Sequence, residues 1–191
     1  MYARKVESPV GPLLLLSSHD ELQGLYFGGH ERGPEAAHEL VFGADVPVLR
    51  RAEEKLRAYF DGVLHEFDLP LRLVGTEFQR EVWRTLLDVP YGMTTTYGAL
   101  AKSLGRTDAV RAVAGAVARN PISIIVPCHR VVGARGQLTG YAGGLERKRF
   151  LLTHERRHSP PGGRRGRGNA ADIDRGLTAV SWVPRGSQEG V

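Results

Sequence analysis

The chain has a single cysteine among its 191 residues, and this scarcity excludes two kinds of structure. One cysteine cannot form an intramolecular disulfide, and it cannot supply a zinc site built on several thiolates. Long hydrophobic runs are also lacking, since stretches such as Leu13 to Leu16 are far too short to cross a bilayer. The N-terminus shows no secretory signal pattern. We therefore expect a soluble protein in the reducing cytoplasm.

Charge is distributed unevenly along the chain. Residues 1–96 contain ten Lys and Arg against fifteen Asp and Glu, a net charge of −5. Residues 97–149 contain nine basic residues against two acidic ones, a net charge of +7. This asymmetry indicates either that the second half faces a polyanion or that its basic face is merely solvated.

The first third of the sequence predicts a small sheet followed by a helix. Three short apolar or alternating runs, separated by turn residues, predict antiparallel strands at residues 2–8, 13–17 and 22–27. A loop is expected over 28–45, and an extended segment over 67–74. Between them, Pro47 begins a run with apolar residues at helical spacing, which ends at Asp61-Gly62.

The middle of the chain predicts three helices. Thr76 and Gln79 have the spacing of a capping box that begins the first, which ends near Tyr91-Gly92. Thr96 is a cap for a short helix over 97–104 that Gly105 closes, and Thr107 or Asp108 is expected to cap another that ends near Arg119. Two short helices joined by a glycine-containing turn outline a helix-turn-helix. The small residues of the second helix permit either close helix packing or close approach to a nucleic-acid groove.

The C-terminal part contains one more helix and then changes character. Residues 145–155 form an amphipathic pattern in which Arg147, Lys148 and Arg149 are expected to be exposed. Beyond it, the chain is low-complexity and rich in Pro, Gly and Arg, so residues 157–191 are predicted to be a disordered tail. Its positive charge either adds nonspecific attraction to nucleic acid or has no function.

Cys128 lies between Pro127 and the pair His129-Arg130. The preceding run, 122–126, is apolar and β-branched, which predicts a buried strand that brings the thiol to an edge. A thiol beside basic groups loses its proton more readily, and the thiolate is the nucleophilic form. The alternative is that Cys128 is a small buried hydrophobic residue, as many free cysteines are.

The sequence around Cys128 closely resembles the O(6)-alkylguanine-DNA alkyltransferase family, and the match extends over roughly residues 1–155. It rests on Arg111, Asn120-Pro121, Ile124 to Val132, Gly140 to Gly144, and His154-Glu155. The resemblance implies an α/β (α+β) fold with a ribonuclease-H-like domain over 1–73 and a winged helix-turn-helix domain over 74–156. It also implies stoichiometric repair, in which an alkyl group of O(6)-alkylguanine, and of O(4)-alkylthymine, moves irreversibly to Cys128.

The resemblance further implies the residues that carry the chemistry. His129 would deprotonate Cys128 through a water, Glu155 would steady the imidazole, and Asn120 would order the turn around the thiol. A base stacked in a duplex hides its O(6) substituent, so the nucleotide must be flipped out. Arg111 would enter the stack in its place, and Tyr97 would bond to the flipped base.

Further positions follow from the same resemblance. Those expected to contact DNA are Thr96, Ala109, Ala112, Ala114 and Arg130. Those expected to line the guanine pocket are Tyr141, Val131 and Ala142. Zinc-carrying members of the family use additional N-terminal cysteines, so no metal and no cofactor are expected, and the partner would be double-stranded DNA bound by a monomer.

Two other functions compete with this one. Alkyltransferase-like proteins share the fold and flip the lesion but lack the nucleophile, and the presence of Cys128 argues against that class. A cysteine hydrolase could use Cys128 and His129, but the adjacent order of the two residues and the lack of an obvious oxyanion loop argue against it.

Overall fold

The computed structural model describes residues 1–28 and 39–159, and these residues divide into two compact units. The first unit contains Met1–Gly75 together with Pro121–Ile125, and the second contains Thr76–Asn120 and the chain from Val126 onward. Among the helices in the described ranges, none is long and apolar enough to span a membrane. The predicted disordered tail lies outside the described residues from residue 160 on.

The first unit is built on a four-stranded sheet of order β3-β2-β1-β4. Its strands are β1 (Tyr2–Val6), β2 (Leu13–Ser18), β3 (Glu21–Phe27) and β4 (Val41–Phe42). The antiparallel pairing of β1 with β2 and of β2 with β3 confirms the three predicted strands. Because apolar side chains alternate along these strands, one face of the sheet carries the buried core. Helix α1 (Pro47–Phe60) packs against β2 and β3 through that core.

The prediction of a loop over 28–45 is wrong for Val41–Phe42, which form strand β4. Val41 and Phe42 pair in parallel with Tyr2 and Ala3 of β1, and the backbone N–H of Val41 donates to the Met1 carbonyl at 2.9 Å. Two exposed residues are too few to show an alternating pattern, so only the pairing partner reveals this strand. The part of the predicted loop at residues 29–38 lies outside the described residues. The segment 67–74, expected to be extended, contributes a single bridge from Leu71 to Leu22.

The apolar run before Cys128 is not the strand that its composition predicts. Its residues form turns, and Ile124 has a positive φ of 68°. Ile122 makes one isolated bridge to Leu25, whose backbone N–H donates to the Pro121 carbonyl at 2.9 Å. The run is buried, as predicted, although it contributes one isolated bridge rather than a strand.

The second unit is mainly helical. Its helices are α2 (Glu77–Leu87), α3 (Tyr97–Ser103), α4 (Val110–Ala118) and α5 (Leu145–His158), and its strands β5 (Thr95–Thr96) and β6 (Val131–Val132) pair in parallel. Thr76 and Gln79 form the predicted capping box, and the Thr96 hydroxyl accepts from the Ala99 N–H as predicted. This helical unit and the preceding sheet confirm the predicted α/β (α+β) class.

Three helix boundaries differ from prediction. Helix α2 ends at Leu87 rather than near Tyr91-Gly92. Neither Thr107 nor Asp108 caps α4, because a 3-10 turn over Thr107–Ala109 comes first and no side chain caps the helix. The last helix continues to His158, three residues beyond the predicted end at 155. Helix ends fray and commonly end in a 3-10 turn, so sequence patterns locate them less well than the helices themselves.

Trp83 joins α2 to α4. Its side chain is 2% exposed, and the indole N–H donates to the Ala116 carbonyl at 2.8 Å. The small residues of α4 allow this approach, so close helix packing accounts for part of the alanine-rich sequence.

Trp83→Phe should lower the free energy of unfolding by about 1–3 kcal/mol, because it removes the hydrogen bond to Ala116 and leaves space beside α4. Urea unfolding followed by far-UV circular dichroism measures this loss. Leu87→Ala, at a residue 43% exposed on the same helix, is the control and should change it by about 0.5 kcal/mol or less. Equal losses in both variants would contradict the role assigned to Trp83.

Candidate active site

Cys128 begins a 3-10 helix, Cys128–Arg130, and is 5% exposed. The side-chain amide of Asn120 donates two hydrogen bonds to this part of the chain. Its Nδ2 donates to the Val126 carbonyl at 2.7 Å and to the sulfur of Cys128 at 3.1 Å. One amide therefore uses both of its N–H groups to orient the thiol, and Asn120 lies where a resemblance to the alkyltransferases placed it.

Burial raises the pKa of the Cys128 thiol above its usual value. The Asn120 hydrogen bond, the charge of Lys148 and the backbone N–H groups of Cys128 and His129 lower the pKa, but they do not outweigh burial. At neutral pH the thiol is protonated, so a base must remove its proton before it can act as a nucleophile.

His129, next to Cys128 in the chain, is the candidate for that base. Its ring is fully buried, and Nε2 lies 2.7 Å from Oε1 of Glu155, which is fully buried as well. An ionised carboxylate only accepts hydrogen bonds, so Nε2 carries the proton and donates it. Nδ1 has no hydrogen-bond partner among the described residues. With the proton on Nε2, Nδ1 carries a lone pair that can accept a hydrogen bond.

The pKa of His129 lies below its usual value. Burial is the largest cause, whereas Glu155 raises the pKa by charge and by hydrogen bonding, and Arg130 and Lys148 lower it. The ring is therefore neutral at physiological pH. Neutral imidazole with its proton on Nε2 is the form that can accept a proton at Nδ1.

Glu155 accepts four hydrogen bonds. Besides His129, they come from Arg130 Nε at 2.9 Å, Arg130 Nη2 at 2.9 Å and the backbone N–H of Gly92 at 3.0 Å. Burial alone raises the pKa of this carboxyl, but the charges and hydrogen bonds of His129 and Arg130 outweigh it and hold the pKa well below its usual range. Glu155 is therefore a permanent anion inside the unit.

Gly92 can approach the carboxylate because it is a glycine. Its φ is +73°, and a Cβ atom would run into the Ser159 hydroxyl, which donates to the Glu155 carbonyl at 2.8 Å. Both the left-handed backbone and the contact exclude a larger residue. Sequence reasoning used Gly92 only as a helix stop and missed its N–H.

Arg130 does not contact solvent as a DNA-binding arginine would. It is 6% exposed, both Nε and Nη2 bind Glu155, and Nη1 donates to the Val89 carbonyl at 2.5 Å. Nε, Nη1 and Nη2 each use an N–H group inside the protein, so this geometry supports an internal role, and DNA contact by Arg130 stays a prediction.

Lys148 is likewise not the exposed residue of the predicted amphipathic helix. Its side chain is fully buried, and Nζ donates to the carbonyls of Val131 at 2.6 Å and Thr139 at 2.9 Å. Burial lowers its pKa to about 8, while the charge of Cys128 raises it. The sequence contained a pattern that predicts the burial of Lys148, because this residue lies on the same face of the helix as Leu151, Leu152 and Glu155.

Two tyrosines face the thiol. Burial raises the pKa of Tyr141 well above its usual value, and the charge of Cys128 and a hydrogen bond to its side chain raise it further. Burial also raises the pKa of Tyr97. A hydrogen bond to Thr139 lowers this pKa, and the charge of Cys128 raises it. Of the other expected pocket positions, Val131 is buried in β6, and Ala142 is exposed.

The residues expected to contact DNA lie on α3 and α4 or just before them. Arg111 and Ala112 are exposed on α4, and its neighbours Ala109 and Ala114 are half-buried. Tyr97 and Thr96 are half-buried at the start of α3, where the Thr96 hydroxyl caps the helix. Exposed Arg111 beside one exposed and two half-buried alanines leaves this part of the surface of α4 open to a close-fitting partner.

Comparison with known families matches both units. The model for the ribonuclease-like domain of 6-O-methylguanine DNA methyltransferase matches residues 1–73, and the model for its DNA binding domain matches residues 77–157. Two curated relatives are methylated-DNA--protein-cysteine methyltransferases. The one from Methanosarcina acetivorans is 48% identical over 81% of this chain and 98% of its own length, and the one from Mycolicibacterium paratuberculosis is 48% identical over 82% and 93%.

Solved structures agree with these matches. The Mycobacterium tuberculosis OGT in complex with DNA is 44% identical and superposes with a TM-score of 0.76 over 84% of this chain and 96% of that chain. The O6-methylguanine-DNA methyltransferase of Pyrococcus kodakaraensis is 29% identical, with a TM-score of 0.58 over 81% and 98%. On the family models, the identities and the coverage, this chain belongs to the 6-O-methylguanine DNA methyltransferase family.

Proposed function

We propose that this protein repairs DNA by moving an alkyl group from O(6) of guanine, and from O(4) of thymine, irreversibly to the sulfur of Cys128. The observation that carries the assignment of residues is the buried His129–Glu155 pair beside the thiol, with Nε2 bound at 2.7 Å and Nδ1 left as an acceptor. Membership of the family supports the reaction class, and the geometry supports these residues as its machinery.

The chemistry follows from this arrangement. His129 Nδ1 takes the thiol proton through a water, and Glu155 stabilises the imidazolium that forms. The thiolate then attacks the alkyl carbon in line, the carbon–oxygen bond breaks, and its electron pair stays with the guanine oxygen. Negative charge develops on the sulfur when the proton leaves, and it disappears when the carbon–sulfur bond forms. Asn120 keeps its hydrogen bond to the sulfur throughout. The product is a thioether without a good leaving group, so each molecule reacts once.

The DNA partner is double-stranded, bound by a monomer. Arg111 fills the gap left by the flipped nucleotide, and Tyr97 donates to the extruded base, as the family resemblance implies. The exposed Ala112 and half-buried Ala109 and Ala114 support close approach of α4 to the duplex. Residues 1–73 are assigned as the ribonuclease-H-like domain, 74–156 as the winged helix-turn-helix domain and 157–191 as the tail. A free thiol nucleophile suits the reducing cytoplasm.

Cys128→Ala should abolish transfer but retain DNA binding, because only the sulfur is removed. Intact mass spectrometry after incubation with a methylated duplex oligonucleotide should show one added methyl per wild-type molecule, on the peptide with Cys128, and none on the variant. Binding is measured by fluorescence anisotropy with the same duplex. Methylation of the variant would refute the nucleophile assignment.

Arg111→Ala should slow repair of a methylated duplex about tenfold to a hundredfold, because flipping costs a few kcal/mol without the side chain that replaces the base. Reaction with a free alkylated base needs no flipping, so its rate should stay near that of the wild type. Arg119→Ala removes the same charge just after α4 and is the matched control for electrostatic attraction. Equal loss on duplex and free base would contradict the proposed role of Arg111.

A further inference from the structure

The pair of His129 and Glu155 poses an electrostatic problem for the proposed mechanism. A buried carboxylate 2.7 Å from an imidazole favours the imidazolium, and Glu155 raises the pKa of His129 accordingly. An imidazolium carries a proton on Nδ1 and cannot accept one from the thiol. Burial opposes this effect and is the largest cause that lowers the pKa of His129, and a positive charge that binds the carboxylate acts in the same direction as burial.

Arg130 is the positively charged side chain that binds the Glu155 carboxylate directly. It follows His129 directly in the 3-10 helix, donates to both oxygens of Glu155 at 2.9 Å, and is anchored by its third N–H on the Val89 carbonyl. A guanidinium does not lose its proton in a protein, so its charge is permanent. We propose that Arg130 is a positioning residue that keeps Glu155 ionised and His129 neutral with its proton on Nε2, so that Nδ1 can accept the thiol proton. This inference rests on the proposed function.

The other charged groups around His129 do not replace Arg130. Lys148 approaches from α5 and also favours the neutral imidazole, but its ammonium donates to Val131 and Thr139. Tyr91 lies on the other side of Arg130, with its ring 5.7 Å from the guanidinium, and carries no charge because burial, above all, raises its pKa to about 12. The thiol of Cys128 is neutral before the reaction. Among these groups, only Arg130 forms charged hydrogen bonds with the carboxylate itself.

Loss of the guanidinium removes the proton acceptor at Nδ1, whether the additional proton binds His129 or Glu155. Without it, His129 and Glu155 together bind one more proton at neutral pH, because the carboxylate loses its permanent partner. If the proton binds the imidazole, Nδ1 is protonated. If it binds the carboxyl, that group donates to Nε2, and the neutral ring carries its proton on Nδ1. Both forms remove the acceptor.

The test is the pH dependence of the single-turnover rate of methyl transfer from a methylated duplex, measured between pH 5.5 and 9 for wild type, Arg130→Met and Arg130→Lys. Arg130→Met should move the acid limb of the profile upward by about one pH unit or more, and its rate should approach that of the wild type at the alkaline end. Arg130→Lys keeps the charge and should keep the limb near its wild-type position. Arg50→Met, at an exposed arginine of α1, controls for loss of positive charge.

A rate that falls by the same factor at every pH in Arg130→Met would show a merely structural role and overturn the inference. A second measurement on the wild-type protein tests the inference if Arg130→Met does not fold. Nitrogen-15 NMR of the imidazole in the wild-type protein should show the neutral ring with its proton on Nε2 at pH 7, and a proton on Nδ1 at that pH overturns the inference. If the wild type transfers no methyl group, the proposed function fails instead, and the NMR result still decides the state of His129.

Discussion

The Glu155 carboxylate is the interaction on which the rest of the site depends. It is fully buried, and it receives hydrogen bonds from an imidazole, a guanidinium and a backbone N–H. A buried charge is tolerated only when it is paired and its oxygens are occupied, and four donors meet that condition. The carboxylate thereby connects α5, the turn at Gly92 and the 3-10 helix of Cys128 within one unit.

This connection explains why the thiol can be both buried and reactive. Burial opposes ionisation of Cys128, so its resting form is the unreactive thiol. The same burial favours the neutral form of His129, which can accept a proton, and Arg130 and Lys148 act in the same direction. Asn120 and Lys148 then supply an N–H group and a positive charge that favour the thiolate once the proton has gone. A low dielectric strengthens these interactions as the charge develops.

Much of the fold and of the site could be predicted from residue patterns alone. The three strands, α1 and the capping box of α2 follow from alternation, helical spacing and the pair Thr76 and Gln79. The assignment of Lys148 to the surface is wrong, and it followed from the rule that charged side chains are usually exposed. Lys148 binds two backbone carbonyls, and Arg130 binds Glu155, which is 25 residues away in the chain. No local pattern reveals these partners.

The sequence by itself determined which groups are available for chemistry: one thiol, the histidine next to it, and a motif dense enough to identify the family. It did so because residue type and spacing are local properties. Only the tertiary structure decided the protonation states of these groups, the tautomer of His129 and the burial of Arg130 and Lys148. These depend on distances between groups that are remote in the chain and on the exclusion of water, and neither exists before the chain has folded.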